Sequence, residues 1–342
     1  MPTMSYERYG LTGNPFRDLA TESLQDVTLF HVNQETDQSL RTIKDEVYDK
    51  ENRAVVAVMG ELGAGKTERL RVTAAEAREQ HAFCVYFDIT EKTPAVLRGI
   101  GQAFRTSAQE AGLLKTFSAP GWIRPIQAFE KLKDEKYDAG EAGHAIAQAL
   151  NETAPSMLLL NDVHNMIDSR EVDAFVKVLQ GAADTIKPGV LVMFSCYTSY
   201  MAWLIVNHPA FAQRINRRLV LKRFTDDEAA LLIAKKLLAK RIVEDLEPTY
   251  PFDPEAISAL NVAANGNPRR ILEIADLAIE HALAHRAYRV DADIVRLVVA
   301  ATPEKAPVTS GAAAPLVPPA RAPAAPLSPG SPPPKPNYLE TT

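Results

Sequence analysis

Residues 54–67 have the sequence AVVAVMGELGAGKT, an apolar run followed by a glycine-rich segment that ends in Lys66 and Thr67. The second half has the form G-x-x-x-x-G-K-T. In this pattern glycines let backbone N–H groups face a phosphate, the lysine reaches the β- and γ-phosphates, and the threonine hydroxyl holds Mg²⁺. The sequence therefore predicts that a nucleotide is bound by Gly60, Glu61, Leu62, Gly63, Ala64, Gly65, Lys66 and Thr67. The alternative is a glycine turn that binds nothing.

Apolar, β-branched runs alternate with helical patterns on both sides of this motif. The runs predicted to be strands are Ala54–Gly60, Phe83–Ile89, Ser156–Asp162, Val190–Phe194 and Arg218–Phe224. Continuous apolar strands of this kind are buried on both faces, so they favour a parallel α/β sheet covered by helices. After Phe224 the strand signals stop and helical spacing continues to about residue 300. We predict an N-terminal segment and helix over 1–52, a nucleotide-binding core over 53–224, a helical domain over 225–302 and a tail over 303–342.

The composition limits the kinds of partner and compartment. The 342 residues carry 38 Lys and Arg against 43 Asp and Glu, a net charge of −5, so any attraction for nucleic acid has to be local. Cys84 and Cys196 are too few for a disulfide framework or a four-cysteine zinc site within one chain. The N-terminus lacks the pattern of a secretory signal, and these features together predict a protein of the reducing cytoplasm.

One segment, Pro188 to Gln213, contains no charged residue and is long enough to raise the question of a membrane span. Polar residues occupy its middle, and Pro188-Gly189 and His208-Pro209 interrupt both ends. We therefore predict a buried strand followed by a partly buried helix, and no membrane span.

Residues 157–162, MLLLND, form the second part of the predicted site. With the glycine-rich motif, they resemble the AAA+ ATPases, in which four apolar residues precede Asp-Glu. The resemblance implies ATP and Mg²⁺ as cofactors and places Asn161 at the metal-associated Asp and Asp162 at the catalytic Glu. Thr67, Asn161 and Asp162 would then form the metal side.

Both positions depart from the AAA+ pattern. Asn161 brings no charge, and Asp162 is one methylene short of a glutamate, while a misplacement of about 1 Å can cost on the order of 10²-fold in rate. The sequence therefore predicts slow hydrolysis, if the chain is an ATPase at all. Shifting the alignment to make Asp162 the metal residue leaves Val163 as the base, and a third interpretation is that Asn161 and Asp162 only end a strand.

Three further positions follow from the resemblance. Ser195, after the fourth strand, matches a residue that senses the γ-phosphate, with Thr198 as the alternative. Arg214 matches the arginine finger presented to a neighbouring subunit, because a forked guanidinium suits the charge on a transferring phosphoryl group. Arg217 and Arg218 are the alternatives to Arg214.

Two motifs flank the core. Gly266-Asn267-Pro268-Arg269-Arg270 matches the G-x-P-R start of a lid helix, which implies that Arg269 reaches the γ-phosphate from the helical lid. Near the N-terminus, residues 9–16 (YGLTGNPF) resemble a segment of a bacterial AAA+ subgroup of general-secretion ATPases and transposition ATP-binding subunits, related to origin-recognition initiators. The resemblance implies that Asn14, Pro15 and Phe16 lie on the adenine side.

The last forty residues hold half of the chain's 24 prolines, which predicts a disordered tail that is either a docking peptide, with PPPKP at 332–336, or an inert extension. The expected function is control of homo-oligomer assembly and partner engagement by ATP. The alternatives are a DNA-remodelling or transposition-type motor, although no dedicated DNA-binding domain is recognised, and an adaptor with structural nucleotide whose tail recruits a partner.

Overall fold

A five-stranded parallel sheet organises the computed structural model, which describes residues 6–17, 29–90, 95–110, 127–128, 131 and 138–302. The strands are β1 Ala54–Met59, β2 Phe83–Asp88, β3 Ser156–Asn161, β4 Val190–Cys196 and β5 Arg217–Val220. Their order is β2-β3-β4-β1-β5, and every pairing is parallel. The predicted α/β fold class is confirmed.

Helices cover both faces of the sheet. They are α1 Glu35–Tyr48, α2 Lys66–Glu79, α3 Val96–Glu110, α4 Ala139–Glu152, α5 Val172–Thr185, α6 Thr198–Asn207 and α7 Pro209–Ala212. Alternate residues of β1 belong to opposite faces: Val55 and Ala57 join one buried cluster, and Val56 and Val58 join the other. The central strands are thus buried on both faces. The carboxyl ends of the strands are where a site can form in a parallel sheet of this kind.

Four helices form the second part of the molecule: α8 Asp226–Leu238, α9 Pro254–Ala264, α10 Pro268–Ala284 and α11 Ala292–Ala301. α8 begins at a capping box in which Thr225 and Glu228 exchange hydrogen bonds, and α10 begins at Asn267, whose side chain accepts from the N–H of Arg270. Their apolar faces share one buried cluster. We call these four helices the lid.

The described residues up to Ala301 form one compact unit. The four predicted domain ranges remain a prediction. The expected tail disorder and the PPPKP segment lie outside the described residues.

The charge-free segment is the strand β4 followed by the partly buried helix α6, as predicted from its pattern. Across the described ranges, no helix combines the length and apolarity needed to cross a bilayer.

Candidate nucleotide-binding site

The glycine-rich segment connects the end of β1 to the first turn of α2. Gly63 and Gly65 have φ values of +78° and +90°, a backbone region that favours glycine. The Lys66 ammonium donates to the carbonyl oxygens of Gly60 at 3.0 Å and Glu61 at 2.8 Å, and only 5% of the residue is exposed. The residues predicted to cradle phosphate therefore form a loop closed on its own lysine.

The charge of Lys66 is held in a low-polarity setting. Burial lowers the pKa of the Lys66 ammonium, and the carboxylate of Asp162 opposes this shift. The Lys66 Nζ lies 4.5 Å from the centre of the Tyr197 ring, a cation–π distance. Sequence reasoning missed Tyr197, which follows β4 without a motif of its own.

The lid contacts this loop through the start of α10. The Asn267 amide donates to the carbonyl of Leu62 at 2.7 Å. A Cβ added to Gly63 would lie 2.7 Å from Asn267 Oδ1 and 2.8 Å from the Arg269 Cβ. The Cβ of Arg269 thus lies beside the loop. Its guanidinium is exposed and forms an ion pair with Glu273 at 3.6 Å. Its role at the γ-phosphate stays a prediction.

A cavity of about 160 Å³ separates the core from the lid at this point. Its walls include Gly60, Ala64, Thr198, Leu221, Gly266 and Pro268. This volume is below the roughly 300–1,000 Å³ that is usual for pockets of drug-sized ligands.

The end of β3 joins the other predicted residues into one hydrogen-bond network. Asn161 Oδ1 accepts from the hydroxyl of Thr67 at 3.2 Å and from that of Ser195 at 2.7 Å. The Ser195 hydroxyl also accepts from the backbone N–H of Asp162 at 2.7 Å and contacts Asp162 Oδ1 at 3.3 Å. Thr67, Asn161, Asp162 and Ser195 therefore meet, while the alternative Thr198 lines the cavity instead. Their proposed catalytic and metal roles stay predictions.

Asp88, at the end of β2, completes this network. The Asn161 amide nitrogen donates to Asp88 Oδ1 at 2.8 Å and to Asp162 Oδ2 at 3.3 Å. Each atom of the amide thus meets a complementary partner, hydroxyls on the oxygen and carboxylates on the nitrogen. Sequence reasoning missed Asp88, although it is the penultimate residue of the predicted strand FCVYFDI and lies at the same edge of the sheet.

Asp162 has an unusual backbone, with φ +57° and ψ +46° in the left-handed region, where Asp and Asn are the most tolerated residues after glycine. Burial raises the pKa of its carboxyl, and Lys66 opposes the shift. Two residues on, burial lowers the pKa of His164 to about 4, with Lys66 adding to the effect. His164 is therefore neutral near pH 7, and its ring lies 3.8 Å from that of Tyr197 rather than forming an ion pair with Asp162.

The candidate arginine fingers lie away from the loop, after α7. Arg214 pairs with Asp184 of α5 and donates to the carbonyl of Ala210. Arg217 is exposed and donates to the carbonyl of the preceding residue, and Arg218 donates to the carbonyl of Ala212. None of these contacts tests a role toward a neighbouring subunit, which stays a prediction.

The N-terminal segment packs on the lid. Asn14 donates to Asp276 of α10 at 2.6 Å and to Glu280 at 3.1 Å, and Phe16 is fully buried against Phe252. Pro15, between them, is also buried. The adenine-side role of Asn14, Pro15 and Phe16 stays a prediction. In this structure the side-chain amide of Asn14 already donates hydrogen bonds to two carboxylates.

Residues 29–34, which we call the strap, run beside the glycine-rich loop and were not predicted as part of the site. His31 Nδ1 lies 2.8 Å from Glu68 Oε1, one residue beyond Thr67. The buried Arg69 of α2 donates to the side chain of Gln34 at 3.0 Å and to Asp37 at 3.1 Å. The strap is therefore tied to the first turns of α2.

No protein-family model and no curated protein matches the chain. Solved structures do: Aeropyrum pernix ORC2, in ADPNP and ADP complexes, is 15% identical with a TM-score of 0.50 over 80% of this chain and 70% of its own. Pyrobaculum aerophilum Cdc6 is 13% identical with a TM-score of 0.53, covering 79% of this chain and 69% of its own. The chain therefore shares the α/β fold of these two structures.

The Thermotoga maritima RuvB Holliday junction branch migration motor is also similar, at 14% identity and a TM-score of 0.46 over 83% of this chain and 73% of its own. The fold assignment depends on the first two structures. The narrower resemblance to the secretion and transposition group stays a prediction.

Proposed function

We propose that this chain binds ATP with Mg²⁺ between its core and its lid, hydrolyses it slowly, and uses the bound nucleotide to control self-assembly and partner engagement. The main support is the buried Lys66, whose ammonium lies on two carbonyl oxygens of a glycine loop that opens a helix. These carbonyls are the acceptors that phosphate oxygens would replace. AAA+ structural neighbours of similar fold add to this support.

The residues present fit the phosphates and their metal ion. Gly63 and Gly65 place no Cβ in the loop, and the N-terminus of α2 favours an anion. Thr67 offers its hydroxyl at the metal side. Bound Mg²⁺ would neutralise the charge that develops on the phosphates. In the described part of the chain, no three His, Cys, Asp or Glu side chains group to hold a metal by themselves, so its binding would depend on the nucleotide.

Slow hydrolysis is supported by the state of Asp162. Its carboxylate is engaged by Ser195 and Asn161, and its backbone is held in the left-handed region. Orienting an attacking water would require this short side chain to leave those partners. The neutral Asn161 adds no charge to help it.

Control by nucleotide is supported by the contact between Asn267 and Leu62. Because the cavity is smaller than the usual pocket for a drug-sized ligand, we expect ATP to displace the start of α10 from the loop. Nucleotide binding would then change the position of the lid. Any binding surface formed by both core and lid residues would change with the lid position.

The test follows phosphate release and particle mass in the same sample of full-length protein with ATP and Mg²⁺, with Lys66→Ala as the control. We expect ATP-dependent growth in mass with turnover far below about 10 per second, the median for enzymes. Turnover near that value, abolished by Asp162→Ala, would contradict slow hydrolysis and would favour the motor ATPase interpretation. The proposal would be overturned if the protein neither assembled nor released phosphate and showed no measurable ATP binding.

A further inference from the structure

We propose that Asp88, at the end of β2, supplies the negative charge on the metal side of the site that Asn161 of β3 lacks. This inference rests on the proposed function, since the metal ion is expected to arrive with ATP. It assigns to a neighbouring strand the carboxylate that the β3 sequence does not provide.

The register of the sheet carries the first step. Asp88 and Asn161 are direct partners in the parallel pairing of β2 with β3. Residues aligned in this way at the carboxyl ends of adjacent strands lie side by side, which brings a carboxylate next to the Asn161 amide. The 2.8 Å hydrogen bond from Asn161 Nδ2 to Asp88 Oδ1 shows that the two side chains meet.

The orientation of the amide carries the second step. Because its nitrogen faces Asp88, its oxygen faces the hydroxyl of Thr67 at 3.2 Å. Thr67 is the residue whose hydroxyl is expected to hold Mg²⁺. Asn161 thus connects the metal-side hydroxyl to a charge that lies one strand away.

Asp88 is placed to respond to a cation. Its side chain is 41% exposed, and Oδ1 is shared by the hydroxyl of Tyr86 at 2.7 Å and the Asn161 amide. Its Oδ2 forms a long ion pair, at 3.9 Å, with the guanidinium of Arg71, which is beyond hydrogen-bond distance. Asp162 shares the Asn161 amide with Asp88, but it is also engaged by the hydroxyl of Ser195 and by the charge of Lys66.

The experiment compares ATP affinity in excess Mg²⁺ with ATP affinity in EDTA for four full-length proteins: the wild type, Asp88→Asn, Asn161→Asp and the double variant Asp88→Asn/Asn161→Asp. Asp88→Asn keeps an acceptor for the Asn161 amide and removes only the charge. We expect it to lose roughly 10- to 100-fold of the affinity gain due to Mg²⁺, while affinity in EDTA stays unchanged. The double variant returns the charge to β3 and should recover the gain.

Direct binding of Mn²⁺ to the ATP complex, followed by electron paramagnetic resonance, gives a readout independent of turnover. Tyr86→Phe is the matched control, because it removes the other partner of Asp88 Oδ1 and leaves the charge in place. If Asp88→Asn fails to fold, Asp88→Ser tests the same loss of charge with a smaller polar side chain.

An unchanged Mg²⁺ gain in Asp88→Asn would overturn the inference. So would a double variant that stays as weak as Asp88→Asn, since Asp88 would then only position Asn161. If the wild type binds no ATP in either condition, both the inference and the proposed function fail, whereas ATP binding with a Mg²⁺ gain independent of Asp88 leaves the proposed function standing.

Discussion

The two halves of the candidate site are built in different ways. In the glycine-rich loop, Lys66 bonds to carbonyls only five and six residues before it. At the end of β3, Asn161 bonds to Ser195, Asp88 and Thr67, which lie 34, 73 and 94 residues away in the chain. The first half is a local backbone shape, and the second exists only when the sheet is assembled. Substitutions should therefore separate into those that change ligand binding and those that also change stability.

The largest expected effect is on the local half. Lys66→Ala should weaken ATP binding by at least about 100-fold, since charge-assisted hydrogen bonds contribute roughly 1.5–3 kcal/mol each and 1.4 kcal/mol is tenfold. Lys44→Ala is the matched control, because Lys44 is also buried but pairs with Glu76 on the outer side of α2. Calorimetric titration with ATP distinguishes the two variants. Equal losses of ATP affinity in both would mean that Lys66 acts through folding, as any buried lysine could, and not through contact with ATP.

The next effect concerns the assembled half. Ser195→Ala should lower the free energy of unfolding by roughly 1–3 kcal/mol, because the Asp162 N–H loses its hydrogen-bond acceptor and Asn161 loses a donor. Ser156 is equally buried at the other end of the sheet, but its hydroxyl makes one bond, to Leu150. Urea unfolding of Ser195→Ala and Ser156→Ala should rank Ser195 first. The reverse order would contradict the network as described.

The contact between loop and lid gives a smaller effect. Asn267→Ala removes the cap of α10 and the bond to Leu62, so it should destabilise the fold by about 1 kcal/mol. It should also tighten ATP binding by about fivefold, the equivalent of one neutral hydrogen bond that no longer has to break. Thr225→Ala removes a cap from α8 away from the loop and should lower stability alone. Weaker ATP binding by Asn267→Ala would show that Asn267 assists the nucleotide.

The smallest effect is a dependence on pH at the strap. Burial opposes the charge of His31, but hydrogen bonds to the carboxylates of Asp37 and Glu68 outweigh it and raise the pKa of His31. A raised pKa in the folded state means that this stabilisation is complete below the unfolded value of about 6.5 and is lost as pH rises through the folded pKa. The wild type should therefore lose stability relative to His31→Gln in chemical unfolding as pH rises from about 6.5 through the raised folded-state pKa of His31. Parallel curves would show that the ring is uncharged throughout.

Much of the fold and the local half of the site could be predicted from the sequence. A glycine-rich motif is a pattern of neighbouring residues, and continuous apolar runs fix buried strands without knowledge of their partners. Asp88 could not be predicted, because its meeting with Asn161 depends on which strands are adjacent and in what register. The packing of Phe16 in the lid and of His31 against α2 likewise depends on contacts between distant parts of the chain.

The strap touches both sides of the molecule. Lys235 of α8 donates to the carbonyl of His31 at 2.6 Å, and the ammonium of Lys236 lies 4.0 Å from the centre of the Phe30 ring, while His31 itself contacts Glu68 of α2. A rotation of the lid would therefore act on the helix that carries Lys66 and Thr67 through a second connection, separate from the contact at Asn267. Under the proposed function, thermodynamic reciprocity would then apply: a protein that binds more tightly to one lid orientation would change the affinity for nucleotide by the same factor as nucleotide changes the affinity for that protein.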